Sequence, residues 1–150
     1  MDDPDAIIHP PEERIQFRSL AAEPGHITRD GSEVALTPRH VLATGMTVHE
    51  LTTNAAKYGA LSAPEGRVRV AWSVAQTEAE AFGLRLTWRE SGGPPVVVPT
   101  RSGFGTRLIA GGVRRKLAGE IDLVFEVDGL RCRLDVPLDP TASTILVSTQ

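Results

Sequence analysis

The sequence has little of what would cross-link a small domain or anchor it in a membrane. It contains one cysteine in 150 residues, which excludes an internal disulfide and a zinc site built from several cysteines. Cys132 stands in an alternating apolar run and is expected to be an inert core residue. No apolar run approaches the ~20 residues of a membrane helix. The start of the chain, with Asp2, Asp3 and Asp5, is too acidic for a secretory signal, so we expect a cytoplasmic location.

A strong charge of one sign is also missing. Sixteen Lys and Arg against nineteen Asp and Glu give a formal net charge of -3, which provides no overall attraction to nucleic acid or to an anionic membrane. The hydrophobic and charged fractions, 41% and 23%, are ordinary for globular proteins. A chain of this size is expected to form one domain that buries about 70% of its unfolded surface.

The composition divides the chain into three parts. Aspartate and proline dominate residues 1–12, which we interpret as a flexible tail or linker remnant because neither residue favours regular structure in this pattern. Residues 13–138 carry the periodic patterns of a folded domain. Residues 139–150 show no assignable pattern and are expected to form a C-terminal tail.

Alternating polar and apolar residues predict five or six short strands, at Arg14–Arg18, Glu33–Leu36, Val68–Val74, Leu84–Trp88, Ile121–Val127 and Leu130–Val136. Asp128-Gly129 predicts a hairpin turn between the last two. The strands outnumber the helices, and most connections are short. A largely antiparallel sheet is therefore expected.

Two segments show helical spacing. Thr37 and Pro38 indicate a helix start, and Gly59 is expected to end this helix, about Pro38 to Tyr58, in a left-handed conformation. Its expected apolar stripe consists of Val41, Leu42, Gly45, Val48, Thr52, Ala55 and Ala56. A mobile loop is predicted over Gly92–Gly105. The second helix follows it, with the apolar stripe Leu108, Ile109, Gly112, Val113 and Leu117. Two helices on one face of the sheet make an α/β two-layer sandwich.

Glu90 is the first residue that points to chemistry. It lies in phase with Leu84, Leu86 and Trp88, so its side chain should face the helices. A buried carboxylate needs a cation or hydrogen-bond donors. The following Gly92 and Gly93 would let a flat ligand approach the backbone, which favours a site that reads a base. The alternative is that the strand ends at Trp88 and Glu90 is solvated.

A polar stripe on the first helix is the second candidate. Glu50, Asn54 and Lys57 fall at i, i+4 and i+7, with Thr53 and Tyr58 beside them. A carboxylate can accept a proton, an amide oxygen suits Mg²⁺, and an ammonium suits phosphate oxygens. The alternative is the solvated face of an amphipathic helix.

The segment Ser102–Thr106, which opens the second helix, is the third candidate. Free N–H groups and the helix dipole favour an anion there. The segment lacks the third glycine of a dinucleotide fingerprint and the Gly-Lys-Ser/Thr ending of a P-loop, and a flexible loop without a ligand is the alternative. His49-Glu50 begins like a metallopeptidase motif, but Thr53 replaces the second histidine, so zinc is not expected. The other histidines, His9, His26 and His40, are expected to be incidental.

Three segments together resemble a known family. His49–Leu61 resembles the N-box of the HWE family of bacterial sensor histidine kinases, Trp88–Pro94 looks like its altered G1 box, and Gly103–Ile109 looks like its G2 box. The residues that give the family its letters correspond to His49, Trp88 and Glu90. The resemblance covers roughly Arg14 to Leu138.

The resemblance implies the GHKL, or Bergerat, ATP-binding fold, a mixed, mostly antiparallel sheet covered on one face by helices, with bound ATP and Mg²⁺. By similarity, Asn54 would coordinate Mg²⁺, Lys57 would contact phosphate, Tyr58 would border the base or ribose, and Glu90 would accept from the adenine amino group. Glu50 and His49 would be the catalytic residues, with Glu50 helping to activate the attacking histidine. The remaining nucleotide-binding positions would be Gly92, Gly93, Gly103, Phe104, Gly105, Thr106 and Leu108, with Pro94 to Ser102 as a short lid.

By the same resemblance, the chain is the catalytic domain of a two-component sensor histidine kinase that transfers the γ-phosphate of ATP to a histidine. No dimerisation helix carrying that histidine is found in the sequence, so the acceptor is expected on a separate helical domain, in the same longer protein or in another chain. A response regulator would be an indirect partner. The alternatives are a non-catalytic ATP-binding regulatory or partner-switching module and a GHKL serine kinase.

Overall fold

The computed structural model describes residues 26–32, 34, 36–76, 81–96 and 104–138, with the backbone alone for 104–108. Within these ranges the chain forms the elements β1 (Ile27–Asp30), α1 (Pro38–Lys57), a 3₁₀ turn (Ala60–Ser62), β2 (Arg67–Gln76), β3 (Phe82–Ser91), α2 (Phe104–Leu117), β4 (Glu120–Glu126) and β5 (Gly129–Leu138). The strand predicted at Arg14–Arg18, the two predicted tails and most of the predicted lid lie outside the described residues.

The strands form one mixed sheet in the order β1-β2-β3-β5-β4. β1 pairs with β2 in parallel, and the other neighbours are antiparallel. β3 lies at the centre, where Trp88 is opposite Val70 of β2 and Cys132 of β5. The prediction of a mixed, mostly antiparallel sheet is confirmed.

One face of the sheet carries the core. Alternate residues of β2, β3 and β5 pack with apolar residues of α1 and α2, and the cluster includes Val48, Leu51, Val70, Leu86, Trp88, Val113, Leu117 and Leu134. The opposite face is solvated and carries ion pairs such as Arg85–Asp135 (2.6 Å), a kind that contributes about 0–1 kcal/mol each. The two-layer sandwich is therefore confirmed. In the described ranges, neither helix is long and apolar enough to cross a bilayer.

α1 begins as the sequence predicts and ends differently. The Thr37 hydroxyl accepts a hydrogen bond from the His40 N–H (3.3 Å), and Pro38 occupies the first turn. The helix ends at Lys57, and Gly59 has a φ of -112°. The predicted left-handed cap at Gly59 is therefore wrong.

The buried face of α1 is rotated from the predicted stripe. Leu42 is 59% exposed, whereas the face towards the sheet includes His40, Thr44, Thr47, Leu51 and Ala55. Polar residues occur on this face because some find partners there: the Thr47 hydroxyl donates to the Ala43 carbonyl (2.9 Å). His40 is also engaged at both ring nitrogens, with Nε2 3.0 Å from the Pro137 oxygen and Nδ1 2.6 Å from the Thr37 hydroxyl. His40 therefore has a structural role between the start of α1 and the end of β5.

Three element boundaries also differ from the prediction. The strand before α1 is β1, and Val34 and Leu36 lie outside regular structure. α2 begins at Phe104, so Phe104 and Gly105 are helical and not part of a loop. Glu126 pairs with Gly129, which places Val127 and Asp128 in the hairpin turn and leaves Val127 94% exposed.

Candidate functional site

The carboxylate of Glu90 lies near the end of the central strand, on the face that the helices cover. It is 4% exposed, and its neighbours in phase, Leu84, Leu86 and Trp88, are buried with it. The predicted orientation of Glu90 is confirmed, and the alternative of a solvated residue is wrong. β3 continues to Ser91, so regular alternation carries the side chain under the helical layer.

Both oxygens of this carboxylate accept hydrogen bonds from the protein. The backbone N–H of Ala60 donates to Oε1 (2.9 Å), and the indole N–H of Trp88 donates to Oε2 (3.0 Å). A carboxylate offers about four lone-pair positions, so two remain for further donors. The two protein donors offset part of the cost of burying the charge and fix the direction of the remaining lone pairs.

Glycines allow the segment after α1 to approach Glu90. A Cβ added at Gly59 would overlap Oε1 of Glu90 and lie 3.0 Å from the Ala55 Cα. A Cβ at Gly93 would lie 2.6 Å from the Cα of Ala60. Gly92, with a φ of +69°, faces the backbone of Glu65. Gly92 and Gly93 therefore let two protein loops meet, a different reason for glycine than the approach of a ligand that the sequence suggested.

The polar stripe of α1 ends next to the segment that contacts Glu90. Glu50 and Asn54 are half-buried, Lys57 is exposed, and Tyr58 is 77% exposed. The backbone oxygen of Asn54 accepts from the N–H groups of Tyr58 (2.8 Å) and Gly59 (3.2 Å). The end of the stripe is thus tied to the segment that donates to Glu90. His49 is exposed, one position before Glu50.

The second helix completes the helical layer. α2 packs against α1, and the predicted positions Phe104, Gly105, Thr106 and Leu108 lie in its first two turns. The N–H groups of a first helical turn have no partner within the helix and attract anions. Gly103 and residues 97–102 lie outside the described residues.

The donors present fit a magnesium ion that arrives with a polyphosphate. Within the described ranges, no cluster of three or more His, Cys, Asp or Glu is placed to hold a metal. Mg²⁺ commonly keeps several waters and takes phosphate oxygens with one or two protein ligands. The Asn54 side chain makes no hydrogen bond to any other described residue, so its amide oxygen is available as such a ligand.

Sequence reasoning missed two members of this site. The Ala60 N–H has no signature in the sequence, since any residue supplies a backbone donor. Trp88 was noted for its place in the family resemblance and in the core. Trp88 and Glu90 are two positions apart on a predicted strand, and this spacing is the sequence signal that their side chains lie next to each other.

The described residues have the fold of histidine kinase catalytic domains. The described structure matches the histidine kinase domain of the Erythrobacter litoralis EL346 blue-light activated histidine kinase with a TM-score of 0.59 and 22% identity, covering 76% of this chain and 52% of that chain. It also matches the catalytic domain of histidine kinase ThkA with a TM-score of 0.52 and 14% identity, covering 82% and 83%. These likenesses show the fold.

Comparison of the sequence with curated proteins identifies related histidine kinases. The chain is 39% identical over 125 residues to blue-light-activated histidine kinase 1 of Erythrobacter litoralis, covering 81% of this chain and 32% of that protein. It is 39% identical over 107 residues to a blue-light-activated histidine kinase of Brucella anthropi, covering 71% and 22%. No protein-family model matches. The chain therefore spans a third or less of these curated relatives, and it is similar to blue-light-activated histidine kinases over 107 to 125 residues.

Proposed function

We propose that the chain is the ATP·Mg²⁺-binding catalytic domain of a two-component sensor histidine kinase of the HWE type. In this proposal it transfers the γ-phosphate of ATP to a histidine on a separate dimerisation and phosphoacceptor domain. The observation that carries the proposal is the buried Glu90 carboxylate, which accepts a hydrogen bond from Ala60 in the segment that follows the helix bearing Glu50, Asn54 and Lys57. The kinase names of the relatives, aligned over 81% of the chain in one case, support it.

The proposed contacts with the base and ribose come from β3, from the residue that follows α1 and from the loop after β3. Glu90 accepts a hydrogen bond from the adenine amino group with a lone pair that Ala60 and Trp88 leave open. Tyr58, exposed after the last turn of α1, borders the base or ribose. Gly92 and Gly93 shape the loop beside it.

The proposed phosphate and metal contacts lie along α1 and at the start of α2. Asn54 supplies an oxygen ligand to Mg²⁺, which when bound neutralises phosphate charge. The ammonium of Lys57 contacts phosphate oxygens. Gly103, Phe104, Gly105, Thr106 and Leu108 are the proposed hinge and phosphate-facing positions, and the N–H groups of the first turn of α2 favour an anion.

Glu50 and His49 are the proposed catalytic residues. Glu50 is half-buried one helical turn before Asn54, so the two side chains lie on the same face of α1. An attacking histidine near the proposed metal ligand Asn54 would therefore also be near Glu50. A carboxylate there can accept the proton of the attacking histidine. Phosphoryl transfer otherwise depends on positioning and charge neutralisation.

The proposed partners follow from the reaction. They are ATP and ADP, a helical phosphoacceptor domain in the same longer protein or a separate chain, and a response regulator indirectly. We also propose a cytoplasmic location and a domain that extends over residues 13–138, with tails at 1–12 and 139–150.

Transfer of labelled phosphate tests this function. The chain is mixed with a purified phosphoacceptor domain and γ-labelled ATP in Mg²⁺, and the label on the acceptor is treated with acid or base. We expect label that survives base and is lost in acid, as phosphohistidine is. Acid-stable label would indicate a serine kinase, and nucleotide binding without transfer would indicate a regulatory module; either result would contradict the proposal.

A further inference from the structure

We propose that Trp88 is a positioning residue for base recognition: its indole N–H orients the Glu90 carboxylate that distinguishes adenine from other purines. This inference rests on the proposed function. It assigns to a core tryptophan a role in specificity in addition to its role in packing.

The geometry gives Trp88 a direct hold on Glu90. The two residues are two positions apart on β3, so both side chains project from the same face. Trp88 is fully buried, Glu90 is 4% exposed, and the indole Nε1 lies 3.0 Å from Oε2. The ring is packed within the core cluster, so the direction of its N–H is fixed by packing.

The two donors on Glu90 act on different oxygens. Ala60 holds Oε1 from the segment after α1, and Trp88 holds Oε2 from the strand itself. With one donor, the carboxylate could rotate about its side-chain torsions; with two, its plane is determined. The lone pairs left for a ligand then have one direction, which is what a site needs to select a hydrogen-bond donor on a planar base.

Removal of the indole N–H should therefore change selectivity, and not affinity alone. Inosine diphosphate is the probe, because a carbonyl at C6 replaces the amino group of adenine and offers Glu90 no donor at that position. A hydrogen bond to a charged group is worth about tenfold or more in binding. We expect the parent chain to bind ADP about tenfold more tightly than inosine diphosphate.

Trp88→Phe keeps an aromatic ring and removes the N–H. We expect the preference for ADP over inosine diphosphate to fall to about threefold or less, since Glu90 is present but misdirected. Trp72→Phe is the matched control: it also removes an indole N–H, which donates to the Ser32 oxygen at 2.6 Å, away from Glu90. This control should keep the preference of the parent.

A purely structural role for Trp88 would weaken both nucleotides equally and leave their ratio unchanged, and that result would overturn the inference. If the parent binds neither nucleotide, the proposed function fails first, so the two failures are distinguishable.

A second measurement tests the role of Trp88 even if the Trp88→Phe variant does not fold. The chain has two tryptophans, so the Trp72→Phe variant shows one indole ¹H–¹⁵N signal, which belongs to Trp88. We expect ADP to shift this signal more than inosine diphosphate does at equal saturation. Equal shifts with the two nucleotides would contradict the inference.

Discussion

The substitution Gly59→Ala tests whether the close approach to Glu90 holds the site together. The added methyl would overlap Oε1 of Glu90 and lie 3.3 Å from its carboxyl carbon and 3.0 Å from the Ala55 Cα. The carboxylate cannot move away freely, because Ala60 and Trp88 hold both of its oxygens. The variant must therefore displace Glu90 or the segment that follows α1.

The expected change in the free energy of unfolding of Gly59→Ala combines two destabilising effects and one stabilising effect. Overpacking a buried site costs about 1–3 kcal/mol, and loss of a hydrogen bond to a charged group costs about 1.5–3 kcal/mol. Replacement of glycine stabilises by about 0.4–1 kcal/mol through the unfolded chain. We expect a loss of about 2–5 kcal/mol in the free energy of unfolding, which lowers the Tm by roughly 5–15 °C in a chain of this size.

Thermal unfolding measures the loss of stability, and ADP titration measures the loss of binding that a displaced Glu90 should cause. Gly45→Ala is the matched control, because a methyl at this position of α1 meets nothing within 4 Å and alanine favours the helix by up to ~1 kcal/mol. We expect the control to be as stable as the parent or more so, and to bind ADP as the parent does. If Gly59→Ala melts within about 2 °C of the parent and binds ADP equally well, the reasoning is refuted.

Three further predictions concern separate residues. Asn54→Ala should weaken ADP binding in the presence of Mg²⁺ more than in its absence, measured by calorimetry with and without the metal; equal losses would remove Asn54 from the metal site. His40→Ala should lower the free energy of unfolding by about 1–3 kcal/mol in urea, because a buried imidazole that bridges Thr37 and Pro137 is lost; an unchanged midpoint would contradict this. Burial, and to a lesser extent the Asp122 charge, raises the pKa of the Cys132 thiol from 9.0 to about 12. The folded chain therefore keeps a proton that the unfolded chain loses, and this contribution to stability, whole below about pH 9, is lost as the pH rises towards 12. The stability advantage of the parent over Cys132→Ala should accordingly shrink from pH 8.5 to 10.5, and a constant difference would show the reasoning to be wrong.

Periodicity predicted the parts of the fold that large buried surfaces determine. The alternation through Leu84, Leu86 and Trp88 gave both the central strand and the burial of Glu90, because a period of two leaves no choice of face. The start of α1 was equally clear, since Thr37 and Pro38 act locally.

The parts that depend on backbone or distant contacts were missed. Within the described part of the sheet, β1 is at the edge with three of its four residues exposed. It is held in part by backbone bonds such as that from Val68 N–H to the His26 oxygen (2.8 Å), which have no side-chain pattern. Gly59 was expected to serve a left-handed turn, whereas a residue 31 positions later in the sequence, Glu90, is what requires its missing side chain.

The buried face of α1 was predicted incorrectly for a related reason. Hydrophobicity placed Leu42 in the apolar stripe and left His40 out of it, but His40 is buried with partners within the fold and Leu42 is exposed. A polar residue that finds a partner on folding cannot be recognised from hydrophobicity alone.

Calorimetric titration with ADP in Mg²⁺ tests most directly whether the described site holds an adenine nucleotide. We expect saturable heat with the parent chain and none with Glu90→Ala at the same concentrations, provided that circular dichroism shows the variant to be folded. Absence of heat with the folded parent, or equal heat with the folded variant, would contradict this expectation.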